Sequence, residues 1–289
     1  DAPQQAFATL LAIHGDFATM QDSQLAELPD TVRTLVYPAA MAVADADFAK
    51  LKEWVGGGGN LLVTGSLAYD GHRRDGNHGR LRELCGVSVE RQRFAHVERG
   101  DGELVRVAAA APVLAGAELR PAVDVSLAGA KALSLSVTGK PLVTEFGLGK
   151  GRAVWCADPL SLSAETAALR RQLYAWFLAR VGEPTLAPRR IDADGPVHML
   201  RRRLRTGEVQ IAFATRANSR RARVEFAAGD AAVGMDPGWP GLVARSGDRV
   251  VALGGAGRLR ARRKPILSAD RHVLLLSLNG TSLNESPPR

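Results

Sequence analysis

Residues 35–66 constrain the fold most, because they place two apolar segments on either side of one helical segment. Leu35–Tyr37 is an apolar strand that ends at Pro38, a residue without the amide hydrogen that a sheet ladder needs. Apolar residues then recur at helical spacing, which predicts a helix with one buried side. The residues of that side are Phe48, Leu51, Trp54 and Val55.

The ends of this helix are marked as clearly as its buried side. Asp45 or Asp47 is expected to cap its start, since a carboxylate accepts free backbone N–H groups and complements the positive end of a helix. Gly56–Gly59 is expected to end it, because glycine reaches left-handed backbone conformations without steric cost. The apolar run Leu61–Val63 predicts a strand buried on both faces. A strand, a helix and a strand joined this closely predict a right-handed crossover in a parallel sheet.

The flanking segments extend this unit to an α/β domain over residues 1–185. Helices are predicted at Gln4–His14 and Ser163–Val181, and a short strand at Phe17–Met20. Between residues 90 and 150, short runs with period two predict antiparallel strands inserted into the domain. The glycines of residues 147–151 predict a tight turn between two strands. The helix Ser163–Val181 is expected to have one face formed by Leu169, Leu173, Trp176, Phe177 and Arg180.

Residues 190–289 have a different pattern, and Glu183–Pro188 reads as the linker before them. Helical periodicity disappears in this part of the chain. Val197–Arg205 and Glu208–Ala214 are separated by Thr206 and Gly207, which predicts a hairpin. Further short strands with turn residues between them predict a small all-β sandwich.

The chain is basic, with a formal net charge of +8 and an isoelectric point of about 10.1. Such a balance can indicate a nucleic acid or an acidic sugar as partner. The arginine clusters alternate with apolar residues in predicted strands, however, and no aromatic residues are interleaved for base stacking. We therefore expect a solvated or packed sheet face rather than a nucleic-acid surface. The clusters are Arg201–Arg205, Arg220–Arg223 and Arg258–Lys264.

Apolar and cysteine content excludes two further classes of protein. No apolar run reaches the ~20 residues that span a bilayer, so no membrane partner is expected. Cys85 and Cys156 are too few for a disulfide framework and lie in apolar segments. We expect a soluble bacterial protein, in the cytoplasm rather than secreted. Asp1 in place of Met indicates a chain that is processed or taken from a longer protein.

Motifs for cofactor or metal chemistry are weak. Residues 147–152 (GLGKGR) lack the Ser or Thr of a phosphate-binding loop and lie between strands, so a hairpin turn is the better interpretation. The glycines at 56–59 follow a helix, whereas a dinucleotide fingerprint precedes one. His72 and His78 share a loop with Asp70 and Asp75, but a solvated loop is the simpler expectation than a metal site. We expect neither a metal nor a cofactor.

Three segments together resemble the middle domain of family-42 glycoside hydrolases, the bacterial β-galactosidases. Residues 81–90 (LRELCGVSVE) and 147–160 (GLGKGRAVWCADPL) resemble two segments of that domain, in the same order. The first and longest matching segment is residues 35–66, and the resemblance covers about residues 4–182. The matching residues of the first segment are Pro38, Asp47, Leu51, Trp54, Val55, Gly58, Gly59, Leu61, Val63 and Thr64.

The resemblance implies a fold similar to flavodoxin and to class I glutamine amidotransferases, without the catalytic triad of the latter. In the family, this domain mediates trimer contacts, follows a catalytic TIM barrel and precedes a small β-sandwich. A barrel of ~250 residues has no counterpart here, so no catalytic residue is carried over. The main interpretation is a non-catalytic portion of a β-galactosidase-like enzyme that serves assembly and shapes an active-site rim. Expected partners are copies of this chain in a trimer, a TIM-barrel domain or chain, and a carbohydrate.

The loop after Val63 leaves the carboxyl end of a strand, where ligands bind in open α/β sheets. The expected substrate-rim residues are Ser66, Tyr69, Asp70, His72 and Asp158. One alternative is a stand-alone amidotransferase-like hydrolase that uses Ser66 or Cys156, although the glycine that normally follows such a nucleophile is missing after Ser66. Another is a carbohydrate- or polyanion-binding module that uses the arginine-rich strands.

Overall fold

The computed structural model divides into two compact units. Residues 1–9 and 18–183 form the first unit, and residues 10–17 and 184–289 form the second. Within the residues that the structure describes, no helix is long and apolar enough to cross a membrane. The described residues are 2–28, 31–69, 78–93, 103–183, 190–204, 207–214, 222–225, 232–235, 241–246, 249–254, 257–261, 264–269 and 276–277.

Helices and sheet strands both occur up to residue 183, and the described residues beyond it form strands alone. The α-helices are α1 (Ala2–Ala12), α2 (Asp45–Gly56), α3 (Gly79–Cys85) and α4 (Ala167–Val181), and short 3-10 helices lie at Asp22–Glu27 and Leu160–Leu162. The strands of the first unit are β1 (Thr34–Tyr37), β2 (Asn60–Thr64), β3 (Val87–Gln92), β4 (Val105–Arg106), β5 (Glu118–Leu119), β6 (Val123–Leu127), β7 (Lys131–Leu135), β8 (Pro141–Leu148) and β9 (Gly151–Cys156).

A mixed five-stranded sheet in the order β1-β2-β9-β8-β7 is the frame of the first unit. β1, β2 and β9 are parallel, and β8 and β7 continue the sheet in antiparallel pairing. Leu61–Val63 and Val154–Cys156 are fully buried, as central strands covered on both faces must be. The parallel strand–helix–strand unit predicted from residues 35–66 is therefore confirmed.

The inserted antiparallel strands are confirmed as well, with pairings that periodicity alone does not specify. β3 pairs with β6, and β4 pairs with β5. Residue Val107, just after β4, lies opposite Ser136, just after β7. β4 and β5 form a separate two-stranded sheet that this isolated bridge joins to the chain just after β7.

Helix α2 buries most of the side predicted for it, but its start differs from the prediction. The buried residues are Phe48, Leu51 and Val55. The N-cap is Ala44, which offers no side-chain hydrogen bond, so neither Asp45 nor Asp47 is the cap. Both aspartates lie in the first helical turn instead, where their charge still complements the helix dipole.

The β8–β9 hairpin packs against the end of α2 through glycines. Gly149 has a φ of +59°, and a Cβ there would lie 2.4 Å from the carbonyl oxygen of Gly56. A Cβ on Gly151 would lie 2.1 Å from the carbonyl oxygen of Val55. A side chain at either position would collide with the backbone of α2. The predicted hairpin turn at residues 147–152 therefore needs glycine where it lies against the helix.

One further prediction for the first unit is wrong, because Phe17–Met20 is not a strand. Of the face predicted for α4, Leu173 and Phe177 are buried, and the other buried residues of this helix are Arg170, Tyr174 and Leu178. The buried side of α4 includes Arg170 because its guanidinium finds buried hydrogen-bond acceptors there. It donates to the carbonyl oxygens of Leu160 and Ser163 at 2.7 and 2.6 Å, and to side-chain oxygens of Gln5, Thr9 and Thr166.

The second unit contains two five-stranded antiparallel sheets, ordered β10-β13-β14-β17-β18 and β11-β12-β15-β16-β19. β11 and β12 form the predicted hairpin, with Leu204 opposite Gly207. The predicted strand over residues 272–278 falls mainly outside the described residues. The strands are β10 (Arg190–Ala193), β11 (Val197–Leu204), β12 (Gly207–Ala214), β13 (Ala222–Glu225), β14 (Ala232–Met235), β15 (Gly241–Ser246), β16 (Arg249–Gly254), β17 (Gly257–Ala261), β18 (Lys264–Ala269) and β19 (Leu276–Ser277).

Candidate functional site

The parallel strands β1, β2 and β9 end at one edge of the sheet, and we name residues 39–43, 65–69 and 157–158 the carboxyl edge. Backbone hydrogen bonds join the three segments. The Leu67 N–H donates to the Ala40 carbonyl oxygen at 2.8 Å, and the Gly65 N–H donates to the Cys156 carbonyl oxygen at 3.2 Å. Open α/β sheets bind ligands at this edge, so it is the place to examine for chemistry.

Ser66 lies at the carboxyl edge as predicted, but it is completely buried. Its Oγ lies 3.7 Å from Met41 Sδ and accepts the Ala68 N–H at 3.4 Å. Among the hydrogen bonds described for this hydroxyl, none involves an imidazole or a carboxylate that could take its proton. The hydroxyl therefore acts as a packed polar group within the chain.

Asp158 and Tyr69 belong to the same edge and differ in exposure. Asp158 is completely buried, and its Oδ2 accepts the Arg120 N–H at 2.7 Å. Tyr69 is half-buried, and its hydroxyl accepts a hydrogen bond from Gln92 Nε2 at 2.5 Å. Of the predicted rim residues that the structure describes, only Tyr69 has exposed surface.

The remaining two predicted rim residues, Asp70 and His72, lie outside the described residues. The structure thus brings Ser66, Tyr69 and Asp158 to one edge of one sheet. A substrate-rim role for the five residues stays a prediction.

Arg80 joins two segments of the carboxyl edge through hydrogen bonds, a role that was not predicted from the sequence. Its guanidinium is 2% exposed and donates to the carbonyl oxygens of Val43 at 2.8 Å and Tyr69 at 3.0 Å. It also forms an ion pair with Asp45 and lies 5.1 Å from the centre of the Phe48 ring. The signal for this role was the helical spacing of Arg80 and Leu84, which puts an arginine on the apolar side of α3.

A charged cluster lies beside Tyr69, at the end of β3. Arg93 Nε donates to Asp124 Oδ1 at 2.7 Å, and Lys140 Nζ lies 3.4 Å from Asp124 Oδ2. Burial opposes ionisation of Asp124, but the hydrogen bond and charge of Arg93, together with the charge of Lys140, outweigh it and lower the pKa of Asp124 below 3.8. Asp124 is therefore an ionised, paired carboxylate, whereas a general acid would need a raised pKa.

The two cysteines are completely buried. Burial raises the pKa of the Cys85 thiol far above its ordinary value, so this thiol stays protonated and unreactive. Cys156 ends β9 in the packed centre of the sheet and has no exposed surface. Neither cysteine lies where a substrate could reach it in this chain.

These observations define a class of protein: a mixed α/β domain in which two polar side chains of the carboxyl edge, Ser66 and Asp158, are buried by contacts within the chain. The chain belongs to the family described as the beta-galactosidase trimerisation domain, whose profile matches residues 9–185. The resemblance read from the sequence is thereby confirmed. No curated protein sequence matched the chain.

Solved structures of glycoside hydrolases share this fold at low sequence identity. The β-galactosidase from Bacillus circulans sp. alkalophilus superposes with a TM-score of 0.63 at 13% identity, over 85% of this chain and 37% of that enzyme. The cold-adapted β-galactosidase from Rahnella sp. R3 gives 0.62 at 16% identity, over 85% and 36%. An α-L-fucosidase from Paenibacillus thiaminolyticus gives 0.53 at 12% identity, over 78% and 38%. The chain thus spans little more than a third of the length of these enzymes.

Proposed function

We propose that this chain is the assembly and active-site-rim portion of a β-galactosidase-like glycoside hydrolase, and that it is not catalytic alone. The observation that carries the proposal is the match of residues 9–185 to a trimerisation domain family. The partial coverage of the related enzymes, 37% and 36%, supports a role beside a separate catalytic domain. The partners in this proposal are further copies of the chain and a TIM-barrel domain or chain.

The proposed domains are residues 1–185, with an amidotransferase-like parallel sheet, and residues 190–289, with a β-sandwich. The mixed sheet with three adjacent parallel strands, β1, β2 and β9, supports the first assignment. Two five-stranded antiparallel sheets support the second.

The proposed rim is the carboxyl edge, with Tyr69 as its accessible residue. Ser66 and Asp158 would support it from within, because each is buried and hydrogen-bonded to backbone N–H groups. A phenol ring with its hydroxyl fixed by Gln92 suits a sugar, which offers apolar ring faces and hydroxyl groups together. Asp70 and His72 complete the proposed rim from the segment after Tyr69.

The two alternatives have less support. A hydrolase that uses Ser66 or Cys156 would need an accessible nucleophile, and both side chains are completely buried. A polyanion-binding module would need unpaired arginines on its strands. Arg201 instead pairs with Asp16 and Arg223 pairs with Glu225, at 3.2 Å for the second pair.

Hydrolysis of a chromogenic β-galactoside by the purified chain distinguishes these functions. The proposal predicts no hydrolysis above the rate in buffer alone, for the unmodified chain and equally for the Ser66→Ala and Cys156→Ala variants. If the unmodified chain hydrolyses the substrate and either substitution abolishes this activity, the hydrolase alternative is established instead. Retention on heparin that persists well above ~0.2 M salt would favour the polyanion-binding module, since unspecific charge attraction is screened by then.

A further inference from the structure

Two histidines lie close together within the second unit. His14 lies just after the end of helix α1, in the segment of residues 10–17. His198 lies on β11, the first strand in the order of its sheet. The two imidazoles are near enough for the charge of His198 to act on His14. A titratable pair therefore lies where residues 10–17 meet strand β11.

The backbone fixes the place of His14. Its φ is +56°, in the left-handed region, where histidine occurs more often than most residues that have a side chain. The His14 N–H donates to the Leu11 carbonyl oxygen at 3.1 Å, and the Gly15 N–H donates to the Leu10 carbonyl oxygen at 2.8 Å. Hydrogen bonds of this kind end a helix at a left-handed residue. The turn therefore holds the imidazole at the end of α1.

A network of charged side chains attaches the same segment to β11. Arg201 Nε donates to Asp16 Oδ2 at 3.0 Å, and Arg201 Nη1 lies 3.8 Å from Glu208 Oε2 on β12. The Arg201 side chain is only 12% exposed, so its charge needs these partners. Among the side chains that the structure describes here, Asp16, Arg201 and Glu208 are the charged ones that the segment, β11 and β12 contribute. The two carboxylates compensate the charge of Arg201.

The histidine pair has nitrogens that are buried without a partner. Within the described part of the chain, neither His14 Nδ1 nor His198 Nδ1 has a hydrogen-bond partner. The His198 ring packs against the Phe213 ring, with the ring centres 5.3 Å apart. A protonated imidazole carries an N–H at both nitrogens, so protonation of His14 creates a buried donor that lacks an acceptor. Burial and the charge of His198 accordingly lower the pKa of His14 below 6.5.

We propose that His14 and His198 form an acid-sensitive contact, in which protonation of His14 releases residues 10–17 from strand β11. The neutral imidazole is the form that the packed segment favours. The contact is therefore complete above pH 6.5 and weakens as the pH falls through the lowered pKa of His14. Asp16 does not offset the new charge, because it is engaged by Arg201. The contact is a regulatory device of the second unit and does not depend on the proposed assembly function.

Hydrogen exchange measured by mass spectrometry on the full 289-residue chain tests the proposal. Exchange of residues 10–17 is compared at about pH 5 and about pH 7.5, after correction for the intrinsic effect of pH on exchange. The unmodified chain is expected to open about 10-fold more often at the lower pH, the factor that corresponds to one pKa unit. His14→Asn should remove this response, because asparagine tolerates the left-handed backbone and does not titrate. His78→Gln is the matched control in the first unit and should keep the response.

The same experiment contains the results that would overturn the inference. Equal opening of residues 10–17 at both pH values in the unmodified chain would do so. A His14→Asn variant that responds as strongly as the unmodified chain, or a His78→Gln variant that loses the response, would do so as well. An equal rise in the exchange of helix α4 would show general acid unfolding and would also overturn it.

Titration of the imidazole protons by nuclear magnetic resonance provides a readout on the unmodified chain, so that the test does not depend on a variant that folds. His14 is expected to titrate below pH 6.5. In His198→Gln its pKa should rise, because the repelling charge of His198 is removed. A His14 that titrates at or above pH 6.5 in the unmodified chain would refute the proposed contact.

Discussion

The Arg80→Ala substitution is expected to destabilise the first unit more than any other arginine replacement on α3. Arg80 is 2% exposed, and its guanidinium joins the loops after β1 and β2 through the carbonyl oxygens of Val43 and Tyr69. Alanine removes the donors and leaves buried oxygens with fewer partners. It also leaves a cavity beneath the carboxyl edge.

The magnitude follows from the contacts. Hydrogen bonds to a charged group contribute about 1.5–3 kcal/mol each, and two of Arg80's bonds, at 2.8 and 3.0 Å, are to buried or part-buried carbonyl oxygens. The ion pair with Asp45 adds no more than about 1 kcal/mol, because the Asp45 side chain is 88% exposed. We expect a loss of about 3–6 kcal/mol, a large part of the ~5–15 kcal/mol that stabilises a domain.

Urea unfolding followed by tryptophan fluorescence measures this loss of stability near the carboxyl edge, where Arg80 acts. Trp155 Nε1 donates to the Gly65 carbonyl oxygen at 2.7 Å, so its indole reports on the carboxyl edge. Arg82→Ala is the control, since Arg82 lies on the same helix and is exposed, and it should change stability by less than about 0.5 kcal/mol. Arg80→Lys should be intermediate, because it keeps the charge without the planar fork. If the loss for Arg80→Ala lies within about 1 kcal/mol of the loss for Arg82→Ala, the buried hydrogen bonds of Arg80 do not stabilise the first unit as expected.

Two further predictions concern other contacts of the first unit. Asp124→Asn should lower the free energy of unfolding by about 2–3 kcal/mol at neutral pH, because Arg93 loses its buried carboxylate partner and keeps only the exposed Glu103. The pKa of Asp124 is lowered below 3.8, so this stabilisation is present above pH 3.8 and is lost as the pH falls through the folded-state pKa. A difference between wild type and variant that stays constant in urea titrations at falling pH would contradict it. Gly151→Ala should cost about 1–3 kcal/mol, since its Cβ would lie 2.1 Å from the Val55 carbonyl oxygen. Gly147→Ala on β8 meets open space and should be neutral, and thermal unfolding of the two variants measures the difference.

Local patterns were sufficient where one short segment determines its own structure. The strand–helix–strand unit of residues 35–66 and the β8–β9 turn are both found, because apolar spacing and glycine position act within a few residues. The cap of α2 shows the limit of this reasoning. Asp45 has a suitable side chain for a cap, yet the N-cap is the preceding residue, Ala44, and Asp45 pairs with Arg80 instead.

The burial of polar side chains was the main feature that the sequence did not predict, since their hydrogen-bond partners come from distant segments. Arg170 is buried because Gln5 and Thr9, some 160 residues away in sequence, accept its hydrogen bonds. Arg80 is buried for the same kind of reason. At the candidate site, the sequence indicated the correct edge of the sheet for Ser66 and Asp158, because strand ends are readable. It gave no indication that both side chains are covered, which depends on the loops that pack over them.

The mass of the purified chain in solution decides whether this protein serves assembly. The proposed assembly function predicts a trimer, observed by sedimentation equilibrium as a species with three times the 30.7 kDa mass of one chain. Dilution should dissociate it to monomers without loss of secondary structure, since each copy has its own buried core. A strictly monomeric species over the whole accessible concentration range, with no other chain bound, would contradict the claim that this protein serves assembly.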